Sequence, residues 1–248
     1  MKNLQGKYCV VTGAGKGIGK AIVKRFLDEQ AERIAILEWD LALAEATARE
    51  LDPSGEKIIA IGCNVADSKK VEIAINQVIE NFGRIDVLVN NAGIARDSIF
   101  HKMTDEAWHS VIDVNLNGVY NLCKFVVPIM RAQCSGSIIN LASTSLLGNP
   151  GQANYAASKA ALQGFTRTLA KELGRKNVRM NCIAPGYIDT EMMRSVGEKI
   201  LTEMISTLPT QRLGTPEEVA SIAAFLATDD SSWISGQTIF ASGGAVNI

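Results

Sequence analysis

Lys7-Tyr8-Cys9-Val10-Val11-Thr12-Gly13-Ala14-Gly15-Lys16-Gly17-Ile18-Gly19 runs from an apolar strand pattern straight into a glycine-rich turn, and a helical pattern over 18–30 follows. Glycines in such a turn let the chain reverse tightly and bring backbone amides close to a pyrophosphate, which the next helix N-terminus stabilises. A glycine-rich stretch alone is an ordinary loop. With a strand before it and a helix after it, it has the context that dinucleotide binding requires. Gly13, Gly15, Lys16, Gly17, Ile18 and Gly19 are therefore candidate cofactor contacts.

The same alternation continues to the end of the chain. Apolar runs at 33–37, 58–63, 86–89, 137–141, 178–183 and 238–241 read as buried strands, separated by helical patterns such as 71–82. Strands this apolar, each followed by a helix, predict an α/β fold: a Rossmann-type doubly wound parallel sheet of about seven strands with helices on both faces. No linker or internal repeat breaks 1–248 into smaller units. Glu38 ends the second strand at the distance expected for the acid that binds an adenosine ribose, so NAD(H) is expected over NADP(H). Lys16 opposes that expectation, because a cation there suits a 2′-phosphate. Asn64-Val65 and Asn90-Asn91-Ala92-Gly93 follow the third and fourth strands, at the carboxyl ends where open α/β sheets place ligands. Asp67 and Asp86 read as turn or cap residues.

Composition narrows the function classes. The chain is 248 residues, 47% hydrophobic and 21% charged, with a net charge of −1 that gives no global attraction to nucleic acid or anionic membranes. Its opening residues lack the apolar core of a leader, and no apolar run approaches a membrane span. Five cysteines without a Cys-x-x-Cys pair argue against zinc or a disulfide framework, and a cytoplasmic location is expected. No metal site is expected, since His101 and His109 have no third ligand in sequence reach.

Tyr155 and Lys159, four apart in a helical pattern, share one face. A free tyrosine hardly titrates at neutral pH, and a neighbouring cation is expected to lower its pKa toward the working range. On its own the pair is a common surface combination. Ser143 closes the strand pattern upstream and is placed to hold a carbonyl oxygen against the phenol. Asn115 is a polar residue in the broad apolar pattern over 111–130. Residues 188–213 hold Met192, Met193, Met204 and Ile205 without strong caps, which suits a substrate lid. Thr215-Pro216-Glu217-Glu218 marks a helix start.

Taken together, Thr12-Gly-x-x-x-Gly17-Ile18-Gly19, Asn90-Asn91-Ala92-Gly93, Asn115, Ser143, Tyr155-x-x-x-Lys159 and Pro185-Gly186 resemble the short-chain dehydrogenase/reductase family over nearly the whole chain. The stretch from Gly148 to Tyr155 and Arg212-Leu213-Gly214 look like 3-oxoacyl-[acyl-carrier-protein] reductases. The resemblance implies that Tyr155 is the general acid/base, that Lys159 tunes it and binds the nicotinamide ribose, that Ser143 positions the substrate oxygen, and that Asn115 anchors a water leading to Lys159. It places Gly13, Ile18, Asn64, Val65, Asn90, Ile188 and Thr190 at cofactor contacts, with Pro185 and Gly186 beside them. The implied activity interconverts a ketone and a secondary alcohol with NAD(P)(H), with a 3-oxoacyl thioester as first substrate, an acyl carrier protein as candidate partner and a homotetramer as the assembly. Arg131, Lys171, Arg175 and Lys176 are candidates for a basic surface near the site entrance.

Two features depart from the pattern. The interval from Ser143 to Tyr155 is one residue shorter than in those reductases, which leaves Thr144 and Ser145 competing for the serine role. Glu38 departs from the NADPH habit of biosynthetic members, which keeps open an NAD-linked dehydrogenase of a small alcohol, sugar or steroid-like substrate. A non-catalytic dinucleotide sensor is the rival from another class, disfavoured by a complete set of proton-handling residues.

Overall fold

The computed structural model describes residues 4–246; residues 1–3 and 247–248, the two ends of the unit expected over 1–248, lie outside the described residues, as does the start of the stretch searched for a leader. Strands and helices alternate as β1 (Tyr8–Thr12), α1 (Gly17–Asp28), β2 (Arg33–Glu38), α2 (Leu41–Leu51), β3 (Ile58–Gly62), α3 (Ser68–Phe82) and β4 (Val87–Asn90). The second half runs α4 (Asp105–Ile112), α5 (Gly118–Gln133), β5 (Gly136–Leu141), α6 (Ala153–Leu173), β6 (Val178–Pro185), α7 (Glu191–Arg194), α8 (Glu198–Ser206), α9 (Pro216–Ala227) and β7 (Thr238–Ala241). The sheet is parallel throughout, in the order β3-β2-β1-β4-β5-β6-β7. The order reverses between β1 and β4, so the chain leaves those two strands in opposite directions and opens a crevice at their carboxyl ends.

Strand side chains alternate between two apolar layers. Val10, Leu88, Ile138 and Met180 pack with α3, α5 and α6 on one face; Cys9, Val11, Val87, Val89 and Ile139 pack with α1 and α9 on the other. All of these are fully buried, which is why the strands read as continuous apolar runs. Cys63 and Cys182 are buried as well, as small core residues.

Of the two acids expected at turns or caps, one caps a helix. Asp67 accepts the Lys69 and Lys70 N–H groups at the start of α3. Asp86 is no helix cap: it is buried before β4, accepting from Tyr8 N–H at 2.9 Å and paired with Arg84 at 2.6 Å. The apolar pattern over 111–130 is broken by one wide turn. Residues Asp113–Asn117 form a π-helical turn between α4 and α5, and it carries Asn115. Among the described residues no helix is long and apolar enough to cross a membrane.

Thr215 and Glu218 form a reciprocal capping box at α9, which packs against α1. Thr215→Ala should lower unfolding free energy by about 1 kcal/mol, read as a shift of the urea midpoint at unchanged slope.

Candidate active site

The crevice is built by a clamp between the ends of β1 and β4. Thr12, 1% exposed, accepts the Asn91 and Ala92 N–H groups at 3.0 Å each through its hydroxyl. The Asn91 amide donates to the Thr12 and Gly13 carbonyls at 2.9 and 2.8 Å. Gly13 is left-handed (φ +61°), and a Cβ there would come within 2.7 Å of the Ala92 Cα. A Cβ at Gly19 would collide with the Gly13 carbonyl oxygen. The first turn of α1 has no side-chain cap and no acid, which leaves its N–H groups for an anion. A Cβ on Gly17 would meet only the Thr190 methyl, at 3.7 Å. An open cradle with uncapped donors fits a pyrophosphate.

The other expected cofactor contacts differ in what their side chains do. Both oxygens of Glu38 are engaged, accepting from Gly15 N–H at 3.1 Å and Trp39 N–H at 2.9 Å. Lys16 pairs with Glu191 at 2.7 Å. The Asn64 side chain accepts from Ala66 N–H, and the Val65 carbonyl accepts from Asn121. The Asn90 side chain turns into the layer under α6, donating to Asn140 at 2.8 Å, which leaves its backbone at the carboxyl end of β4. Pro185 ends β6, and Gly186 N–H bonds the Ala241 carbonyl. Ile188 is buried and bridges to Gly214; Thr190 caps α7.

On the other side of the crevice, α6 brings Tyr155 and Lys159 together. The Lys159 ammonium lies 5.6 Å from the centre of the Tyr155 ring and donates to the Leu141 carbonyl at 2.6 Å. Its residue is only 4% exposed, and burial pushes the ammonium down to about 8. The Ser143 hydroxyl accepts from Ser145 N–H at 3.2 Å, and of the three neighbouring hydroxyls expected to compete it is the one that acts on the Tyr155 phenol. The anticipated downward pull on that phenol is not what this site shows. Enclosure raises the Tyr155 pKa, Ser143 opposes the rise, and the Asp97 carboxylate adds to it.

Asn115 is fully buried and serves as a clamp. Its amide accepts from Ile94 N–H at 2.9 Å and donates to the Ile94 carbonyl at 3.0 Å and the Ser158 hydroxyl at 3.2 Å. It thereby ties the segment after β4 to α6. A Cβ at Gly93 would lie 3.3 Å from the Asn115 amide oxygen and 3.4 Å from the Lys159 ammonium, so a bare backbone lets the two approach. Three of the four basic residues expected near the entrance lie far along α6 from Tyr155. Lys171 lies sixteen positions beyond Tyr155 on α6, about 24 Å along its axis, with Arg175 and Lys176 past its end.

A phenol, a hydroxyl and a buried amine facing a dinucleotide crevice define a class of nicotinamide-dependent oxidoreductases. A family model described as enoyl-(acyl carrier protein) reductase matches residues 13–246, and the chain belongs to the short-chain dehydrogenase/reductase family. It is 45% identical over 246 residues to the 3-oxoacyl-[acyl-carrier-protein] reductase FabG of Thermotoga maritima, covering 98% of this chain and 99% of the relative. It is 42% identical to the FabG of Chlamydia muridarum, over 97% of this chain and 98% of that one. The crystal structure of levodione reductase matches with a TM-score of 0.93 at 32% identity, covering 97% of this chain and 98% of that chain.

These relatives overturn the expected preference for NAD(H). Nothing in the likeness to these 3-oxoacyl-[acyl-carrier-protein] reductases supports an NAD preference. The physical reason lies at Glu38, whose oxygens brace the glycine turn and the start of the next loop. An acid with that structural task is not by itself a signal against a 2′-phosphate.

Asn91 is the residue that motif reading passed over. Asn91→Ala should destabilise the fold by about 1–3 kcal/mol in urea and weaken dinucleotide binding measured by nicotinamide fluorescence. Lys159 gives a pH signature. With its folded pKa depressed, the penalty is fully present below about pH 8 and is relieved as pH rises toward the unfolded value near 10. Lys159→Met should therefore stabilise the protein by about 2–3 kcal/mol near neutral pH and flatten that rise in a pH series of denaturant melts.

Proposed function

We propose that this protein reduces the ketone of a 3-oxoacyl thioester to the hydroxyl, the reaction named for relatives at 40–45% identity over 96–98% of the chain. The observation that carries the reading is the Lys159 ammonium 5.6 Å from the centre of the Tyr155 ring, with the Ser143 hydroxyl acting on the same phenol, since that set handles a carbonyl oxygen. The family model bears the name of an enoyl reductase. A ketone is favoured here because the Ser143 hydroxyl acts on the Tyr155 phenol, so that both groups can serve one substrate oxygen.

The bound nicotinamide supplies hydride to the carbonyl carbon. The residues of the chain do the rest. Ser143 donates a hydrogen bond to the substrate oxygen and fixes the carbon in attack geometry. Tyr155, whose raised pKa keeps it protonated in the resting site, delivers the proton to that oxygen as negative charge builds on it. Lys159, positively charged below about pH 8, stabilises the phenolate left behind and holds the nicotinamide ribose. Asn115 fixes α6 against the segment after β4 and anchors the water by which the lysine regains its proton. Gly13, Gly15, Gly17, Ile18 and Gly19 receive the pyrophosphate; Asn64, Val65, Asn90 through its backbone, Pro185, Gly186, Ile188 and Thr190 line the rest of the cofactor path.

We also propose that residues 1–248 act as one unit, with 188–213 as the lid, in a homotetramer whose substrates arrive on an acyl carrier protein. Exposed Met192, Val196 and Ile200 give that lid apolar surface for an acyl chain.

A panel of 3-oxoacyl thioesters, free ketones and secondary alcohols, read at the nicotinamide absorbance, tests the reading. Turnover of thioesters is expected, and turnover confined to free ketones or alcohols would overturn the substrate class. Tyr155→Phe should lower kcat by about 10²- to 10⁴-fold while leaving dinucleotide affinity close to wild type; unchanged turnover would remove Tyr155 from its role.

A further inference from the structure

Lys16 occupies an unusual electrostatic position. It precedes α1 inside the glycine turn, and its ammonium lies 2.7 Å from a carboxylate oxygen of Glu191, 175 residues away. Glu191 opens α7, directly after Thr190, whose methyl borders the cradle at Gly17. Gly15, the neighbour of Lys16, donates its N–H to Glu38, and the Glu38 charge also acts on the Lys16 ammonium. One cation at the glycine turn is thus paired with one carboxylate and acted on by a second. Both partners of the 2.7 Å pair are largely exposed, with side chains 62% and 76% accessible, so the bond exchanges readily with competing ions.

We propose that Glu191 is a specificity-determining residue: by neutralising Lys16 it sets how strongly the crevice favours a dinucleotide bearing a 2′-phosphate. A phosphate entering beside the glycine turn meets one ammonium that is already paired with Glu191. To bind well it must take Lys16 from Glu191, and in doing so it releases α7 from the glycine turn. A dinucleotide without that phosphate leaves the pair intact. Glu191 therefore weakens binding of the phosphorylated form selectively, and it couples that binding to the freedom of the segment beginning at 188. The inference rests on the reading of the crevice as a nicotinamide dinucleotide site.

The test is direct binding of NADPH and NADH to the full chain, followed by nicotinamide fluorescence at low ionic strength. Glu191→Gln should tighten NADPH on the order of threefold or more and leave NADH unchanged, raising the affinity ratio. That gain should vanish in the Lys16→Gln background and shrink at high salt. A Glu191→Gln protein in which both cofactors shift together, or neither shifts, overturns the inference, because a purely structural role for Glu191 would treat the two alike. Failure of the wild-type chain to bind either dinucleotide would instead overturn the reading beneath it.

Discussion

An ammonium held out of water is the constraint around which this molecule is arranged. Lys159 is almost wholly buried and keeps one short bond, to the Leu141 carbonyl at the end of β5. A buried charge is tolerated only where fixed dipoles surround it, and the fold places several there. The strand end offers its carbonyl, Gly93 brings a bare backbone alongside, and the wide turn between α4 and α5 swings the Asn115 amide toward the same space. Wide turns of this kind recur at functional sites because they displace one residue from the regular helical track. Burial also depresses the amine, so that it sits within reach of titration and responds to charge on its neighbour. The instability it brings is the counterpart of its use.

The sheet was legible because nothing in it conflicts. The central strands β1 and β4 are buried on both faces and read as nearly continuous apolar runs, and the strand between 178 and 185 was missed only at its last two residues, Ala184 and Pro185. The glycine turn was legible for a related reason: Gly13 and Gly19 lie where backbone from another element passes within contact distance, and only glycine fits. Tyr155, Lys159 and Ser143 stood out because helical spacing puts the first two on one face and an apolar strand pattern ends just before the third. Asn115 was visible as a polar residue in an apolar run, but its helix was read as continuous, since hydrophobic periodicity does not register one extra residue in a turn.

What sequence could not supply was the partner of each polar group. Glu38 looks like a free ribose acid in one dimension, yet two backbone amides claim it. Lys16 looks like a free cation, and its partner lies in a helix that spacing cannot connect to it. Asn90 and Asn91 are adjacent and chemically identical, and strand alternation sends them opposite ways: one into the layer below α6, the other onto the glycine turn. The direction of the Tyr155 shift was misjudged because enclosure, which raises it, depends on packing from several segments, whereas the nearby lysine could be read from spacing.

The bonds of the site fall into two populations with different tasks. Those that position the proton-handling groups are buried and mostly join neutral partners: Asn115 with Ile94 and Ser158, Asn91 with the glycine turn, Asn140 with Thr166. Such bonds are insensitive to salt and costly to break, which suits groups that must stay aligned. The ion pairs around the entry side, Lys16 with Glu191, Arg194 with Asp189 and Arg212 with Glu218, are exposed and weak. All three have a partner within or beside the proposed lid. A chain built this way can admit and release a charged cofactor by exchanging surface pairs, without disturbing the geometry that moves the proton. Separating exchangeable from fixed contacts in this way is what allows a mobile entrance to coexist with a rigid reaction centre.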